Sequence, residues 1–449
     1  MAQNEDMYRG QRPRLSSDQT SALENMRDVY PMPSVAVGRP PVSDELYEGF
    51  QRVDNVPAEL YKKYDVKRGL RNADGSGVLV GLTTISNVHG YNKTENGIEP
   101  DEGRLTIRGY DIADLVHNAQ AEDRFGYEEV SYLLLTGSLP TEAQLVDFRQ
   151  RIDSRRQLPT GYLHVFPRTT ASPSIMNILQ QSTLLLYSFD PTPDDTSPEH
   201  EIDVAVSQLA RLPRVAAIAY AAHRANKFGE PLFVPPVREG YSMAETVLDV
   251  LRGDEGFTHD EAMLLDVMLM LHAEHGGANY KAGEMIQDIG YHVRDWADDE
   301  EIYAYLSKIL RKEAFDGKGL IYGLGHAVYT KTDPRATIVK EYARRLAAQK
   351  GVEEKLNLIA SVERLGPKAM REVRGITKPI STNIDMYTGF VYSMLGVPKA
   401  MFTPIFAIAR MSGWAAHRME ELYGAGRIIR PAYRSYMTEQ EYLPIGERG

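Results

Sequence analysis

Residues 261–272 read EAMLLDVMLMLH, with Glu261 and Asp266 the only carboxylates in a run that is otherwise apolar until the closing histidine. No 3.6-residue stripe separates a wet face from a dry one. The segment therefore predicts a helix buried on every side, inside a large core. Residues 401–421 have the same character, interrupted by Arg410, His417 and Arg418. Those cations argue against a membrane span, and the two runs together predict a single shared helical core.

Outward from these runs, helical signals dominate. Residues 127–135 end at Gly137 and Pro140, a helix stop, and Thr141 is placed to cap the next helix. Residues 61–115 are instead short segments broken by glycines, among them Gly69, Gly81, Gly90, Gly103 and Gly109, and predict hairpins and the only sheet. Residues 1–57 are polar and carry Pro13, Pro31, Pro33, Pro40, Pro41 and Pro57, which predicts an N-terminal arm with short helical pieces. Residues 281–350 are more charged, with an acidic stretch at 295–301 and a basic helix end at Arg344 and Arg345, and predict a smaller, more mobile domain.

Composition narrows the chemistry. Of 449 residues, 51 are Lys or Arg and 62 are Asp or Glu, a net charge of -11, which lacks the basic footprint of a nucleic-acid binder. There is no cysteine, so disulfides, thiolate catalysis and cysteine-based metal sites are excluded. No tightly bound cofactor is expected. The early residues show no apolar leader and include Glu5, Asp6, Asp18 and Glu24, so the cytoplasm is the expected location and no membrane partner is foreseen. Residues 75–81 approximate a dinucleotide fingerprint poorly, and no phosphate-binding Gly-Lys-Ser/Thr loop occurs. His272 and His275 lie three apart like metal ligands, but glycines end the helix after them and no third ligand is spaced to join them, so no metal is expected.

Several polar residues then stand out against an apolar background. His275 and His326 sit in glycine-flanked loops, either as satisfied loop histidines or where a ligand can approach closely. Asp333 and Pro334 form a helix start, which places Arg335 in the first turn, as a solvated cation or as a bidentate grip on a carboxylate. Asp385 lies at a further helix start among small and apolar residues, as a cap or as a carboxylate made more basic by its surroundings. Arg410 inside an apolar helix needs an ion pair or a bound anion. Arg430, before Pro431, lies in an extended segment suited to crossing an interface.

The motifs His275-Gly-Gly-Ala-Asn279, Gly323-Leu324-Gly325-His326-Ala-Val-Tyr329 with Asp333-Pro-Arg335, Asn383-Ile-Asp385, residues 402–410 ending in Arg410, and Arg427-Ile-Ile-Arg430-Pro resemble the citrate synthase family. Residues 105–111, Leu-Thr-Ile-Arg-Gly-Tyr-Asp, look like its early strand and turn. The resemblance runs from about residue 61 to 433. It implies a mainly α, two-domain helical fold with a small β-hairpin region near the N-terminus. The divisions are an arm at 1–57, a large domain at 58–275 resumed at 386–449 with a C-terminal arm, and a small domain at 276–385.

It further implies a homodimer acting on oxaloacetate and acetyl-CoA or propionyl-CoA as co-substrate, to give citrate or 2-methylcitrate. By motif match, Asp385 is the base that takes a methyl proton, His275 stabilises the enolate and His326 protonates the oxaloacetate carbonyl. Arg335, Arg410 and Arg430 hold carboxylates, Arg430 from the partner subunit, while Asn279 and His272 join the substrate site and Gly323, Leu324, Gly325 and Asn383 the coenzyme site. The chain departs from the family in one place. Two histidine motifs that are separate in relatives are merged at residues 272–279, and the helical pair between them is missing, which leaves apolar surface on 261–271 uncovered unless the fold compensates and raises the alternative of an impaired, non-catalytic protein on this fold.

Overall fold

The computed structural model describes residues 48, 57–67, 69–72, 77–95, 97–169, 172–275, 280–424, 440, 442 and 444. The N-terminal arm, Asn279 and Arg430 thus lie outside the described residues, apart from Glu48 and Pro57.

A short helix, α1 (Ala58–Lys63), precedes a three-stranded antiparallel sheet of β1 (Ser86–Thr94), β2 (Gly97–Ile107) and β3 (Tyr110–Asp111), in the order β1-β2-β3. It is the only sheet among the described residues. The ladder pairs Ser86 with Ile107 and Thr94 with Gly97, and its register shifts between His89 and Tyr91. Helices then follow in sequence: α2 (Ile112–Ala121), α3 (Tyr127–Thr136), α4 (Glu142–Ser154), α5 (Tyr162–Thr169), α6 (Ile175–Tyr187), α7 (Pro198–Phe228), α8 (Met243–Arg252) and α9 (His259–His272). The chain continues through α10 (Tyr280–His292), α11 (Asp299–Leu310), α12 (Pro334–Lys350), α13 (Glu353–Arg374), α14 (Asp385–Met394) and α15 (Phe402–Tyr423). The molecule is mainly α, with two domains. No described helix is long and apolar enough to cross a membrane.

Local chemistry sets the helix ends. Thr141 with Gln144, Ser242 with Glu245 and Thr258 with Glu261 form reciprocal capping boxes at the starts of α4, α8 and α9. α3 has no side-chain cap of its own. Its first amides, Gly126 N–H and Tyr127 N–H, donate instead to Asp266 of α9 at 2.7 and 3.1 Å. The acid inside the apolar run is thus a cap supplied from another helix.

Every residue from Glu261 to His272 is buried. Of the two alternatives for residues 261–271, the fold compensates: α2, α3, α8, α12 and α15 pack around α9 and cover all its sides. Each large apolar side chain so buried contributes about 1.5–3 kcal/mol relative to exposure. α15 shares this core, as its sequence predicted. Tyr127 Oη donates to the Ile408 and Ala409 carbonyls at 3.1 and 2.9 Å. Gly413 lets α15 close on the end of α9, since a Cβ there would lie 2.4 Å from the Ala273 carbonyl oxygen.

α10, α11, α12, α13 and α14 pack mainly on one another, and the chain then returns to the first group through α15. α14, which begins where the sequence division places the return to the large domain, lies against α10 and α12.

Candidate active site

Two loops meet between these groups of helices, residues 321–333 before α12 and residues 381–384 before α14. Gly325 N–H donates to the Ser381 carbonyl at 2.7 Å and Asn383 N–H to the Gly323 carbonyl at 3.0 Å, around a bridge between Leu324 and Thr382. Asn383 Nδ2 donates to the Gly325 carbonyl, and its Oδ1 accepts from Asp385 N–H, each at 3.0 Å. Ser381 Oγ donates to the Tyr329 carbonyl at 3.0 Å. Gly323 has φ +86, and a Cβ there would lie 2.9 Å from the Met386 Cα, so glycine is required on both counts. The four residues expected to hold coenzyme thus join the loop of His326 to the helix start bearing Asp385.

His326 is held by its own loop. Val328 N–H and Tyr329 N–H donate to its Nδ1 at 3.0 and 3.1 Å, which assigns the ring hydrogen to Nε2. Burial, and then the Arg335 charge, hold its pKa below the ordinary histidine value, so the ring is neutral near pH 7. It stacks on Tyr329 with centroids 4.5 Å apart and meets the His275 ring edge-on at 5.5 Å. Burial first and Arg335 second push His275 down to about 4. His275 Nε2 is buried with no hydrogen-bond partner among the described residues. His326 and Asp385 are therefore mounted on hydrogen-bonded loops, and the His275 ring lies against that of His326.

The arginines are positioned differently from a simple solvent-facing grip. Arg335 is 1% exposed. Its Nε and Nη2 donate to Asp333 Oδ1 and Oδ2 at 3.0 and 2.8 Å, and its Nη1 to the His275 carbonyl at 2.9 Å. Three of its five N–H groups are engaged by these described residues. Arg410 Nε donates to the His272 carbonyl at 3.0 Å, and its guanidinium lies 4.8 Å from the Phe406 ring centroid. Burial pulls its pKa down to about 10, against the opposing charge of Glu274.

His272 is fully buried, with Nδ1 at 2.8 Å from the Met268 carbonyl and its ring edge-on to Phe406. Burial, then Arg335, pushes it down to about 3. It packs in the core, its Nε2 buried with no hydrogen-bond partner among the described residues. Among the described residues no group of three or more His, Asp or Glu side chains is placed to hold a metal.

Sequence reasoning missed the sheet's part in this site. Thr330 Oγ1 donates to the Gly90 carbonyl and accepts from Asp101 N–H at 3.2 Å, while Thr332 Oγ1 accepts from Gly103 N–H at 3.0 Å. A Cβ on Gly90 would lie 2.6 Å from the Val328 carbonyl oxygen, and one on Gly103 2.0 Å from that of Thr332. The hairpin thus clamps the loop of His326. It also missed Tyr329, 2% exposed, whose ring contacts both histidines and lies 5.7 Å from the Arg335 guanidinium. The threonines after His326 and the in-strand glycines were the available signals.

The fold and this site define a transferase-type enzyme that forms a carbon–carbon bond. The chain belongs to the citrate synthase family: the family model "Citrate synthase, C-terminal domain" matches residues 74–280 and 274–432. Among its relatives, citrate synthase from Corynebacterium glutamicum is 34% identical over 397 residues, covering 78% of this chain and 85% of its own. The 2-methylcitrate synthase of Shewanella oneidensis is 29% identical, covering 77% and 92%. The structure of citrate synthase from Pyrobaculum aerophilum superposes with a TM-score of 0.61 at 25% identity, covering 83% of this chain and 94% of that one.

Proposed function

We propose that the chain is a citrate synthase, condensing acetyl-CoA with oxaloacetate to citrate and CoA as a cytoplasmic homodimer. The observation that carries the reading is the joined pair of loops, which mounts His326, with Nε2–H as its open donor, beside His275 and on the same hydrogen-bonded unit as Asp385.

In this reading the Asp385 carboxylate removes a methyl proton from the thioester, and His275 stabilises the enolate oxygen that results. The enolate carbon forms the new bond to the oxaloacetate ketone carbon, whose oxygen takes a proton delivered at His326 Nε2. Water then cleaves the thioester, and CoA leaves as the thiol. Arg335 and Arg410 hold the oxaloacetate carboxylates, with Arg430 from the partner subunit completing the set. The lowered histidine pKa values support donors that stay neutral at pH 7. The small domain, residues 276–385, closes on the large one to exclude water.

One observation favours a second reading. The two family matches overlap at residues 274–280, and within the merged motif the first substrate histidine has no counterpart except His275 itself or His272. That favours an impaired protein on the same fold. Propionyl-CoA is the alternative co-substrate, since one methylene is discriminated by only ~1–3 kcal/mol. The test is CoA release from acetyl-CoA or propionyl-CoA with oxaloacetate, followed with a thiol reagent, which a cysteine-free protein does not itself consume. Oxaloacetate-dependent release is expected, and the faster acyl-CoA names the product. No release with either from the folded protein would establish the impaired reading.

A further inference from the structure

We propose that Asp333 is a positioning residue that sets, with one carboxylate, both the guanidinium of Arg335 and the start of the helix bearing Asp385. The inference rests on the condensing function proposed above. Capping α12 requires only one contact, and Asp333 Oδ1 makes it by accepting Arg335 N–H at 3.0 Å. The same oxygen accepts from Arg335 Nε at 3.0 Å. Oδ2 accepts from Arg335 Nη2 at 2.8 Å and from Ile384 N–H at 3.3 Å, across 51 residues of sequence. Ile384 directly precedes Asp385 and is the N-cap position of α14, which has no side-chain cap of its own.

Both members of the ion pair are buried, Asp333 at 1% exposure and Arg335 at 1%. A buried pair is costly to desolvate and contributes little to stability compared with apolar packing. What it supplies here is geometry. A bidentate carboxylate fixes the guanidinium plane, and the fourth bond ties that plane to the backbone that aims the proposed base. Arg335 in turn donates to the His275 carbonyl at 2.9 Å, so the carboxylate is linked to a histidine, an arginine and the Asp385 turn together. Asp333 touches no reacting atom in this scheme and acts through these residues.

The test uses the full chain with two variants. Asp333→Ser keeps a good helix cap but removes the guanidinium pair, and Asp333→Asn is nearly isosteric and removes the charge. Each is measured for thermal midpoint and for the separate kcat and oxaloacetate KM of CoA release. The expected result is a folded Asp333→Ser protein with a raised oxaloacetate KM, from the released Arg335, and kcat lowered toward ~10²-fold, the cost of a site displaced by about an ångström. Asp333→Asn should move both constants in the same direction. Wild-type kcat and KM in either folded variant would overturn the inference while leaving the proposed function standing. Failure of both variants to fold would make the carboxylate structural only and also overturn it. Absence of turnover in the wild-type protein with both acyl-CoAs would overturn the functional reading first, and this inference with it.

Discussion

Asp385 occupies the first position of α14, its amide bonded to Asn383 Oδ1, and replacing its carboxylate with an amide changes almost no volume. Asp385→Asn should abolish oxaloacetate-dependent CoA release and leave the melting temperature close to wild type; retained turnover would remove Asp385 from the role of base. The histidines make a second prediction. His272 and His275 have folded pKa values pushed down to about 3 and about 4, below the ordinary value of 6.5. Between those limits the unfolded chain binds protons that the native state refuses, so their contribution is intact above about pH 6.5 and is lost as pH falls toward 4. Thermal midpoints measured from pH 7.5 to 5 should fall, and His275→Gln should flatten part of that slope. A slope unchanged by the substitution would show that the ring titrates normally in the native state. The identities of His326, Arg335 and Asp385 as candidates were legible from their motifs. That Arg335 is buried against Asp333 was not, because the Asp-Pro-Arg spacing reads equally well as a cap beside a free cation.

The hairpin and the loop of His326 form one working unit, although 229 residues separate Asp101 from Thr330 and Gly103 from Thr332. At Gly103 the backbone fixes where an added Cβ would lie, and the Thr332 carbonyl it would strike is itself backbone, so neither can move aside cheaply. Gly103→Ala should therefore cost about 1–3 kcal/mol of stability through overpacking and lower kcat more than surface changes of similar thermal effect. Urea unfolding and CoA release measured together check this, and a variant with wild-type turnover would free the hairpin from any part in positioning. The helix start at Thr141 was readable because its cap lies within four residues of sequence. The start of α3 was not, since its cap, Asp266, comes from another helix.

For the whole molecule, the proposed contribution of Arg430 from the partner subunit carries its own test. Arg430→Ala and Asp385→Asn homodimers should each be inactive, while mixed dimers should regain one working site, because one protomer keeps the base and receives the intact arginine. No recovery in verified mixed dimers would place each site within one chain. The sequence by itself determined the helical class, the shared core of residues 261–272 and 401–421, the place of the sheet and the family motifs, since periodicity, caps and motifs are short-range properties. Only the tertiary structure decided that other helices cover α9 despite the merged histidine motif, that Arg335 is paired to Asp333 and His275, and that the hairpin clamps the loop of His326. The physical reason is that burial and partner choice depend on which distant segments meet, and a buried charge takes whichever partner the packing brings within hydrogen-bond reach.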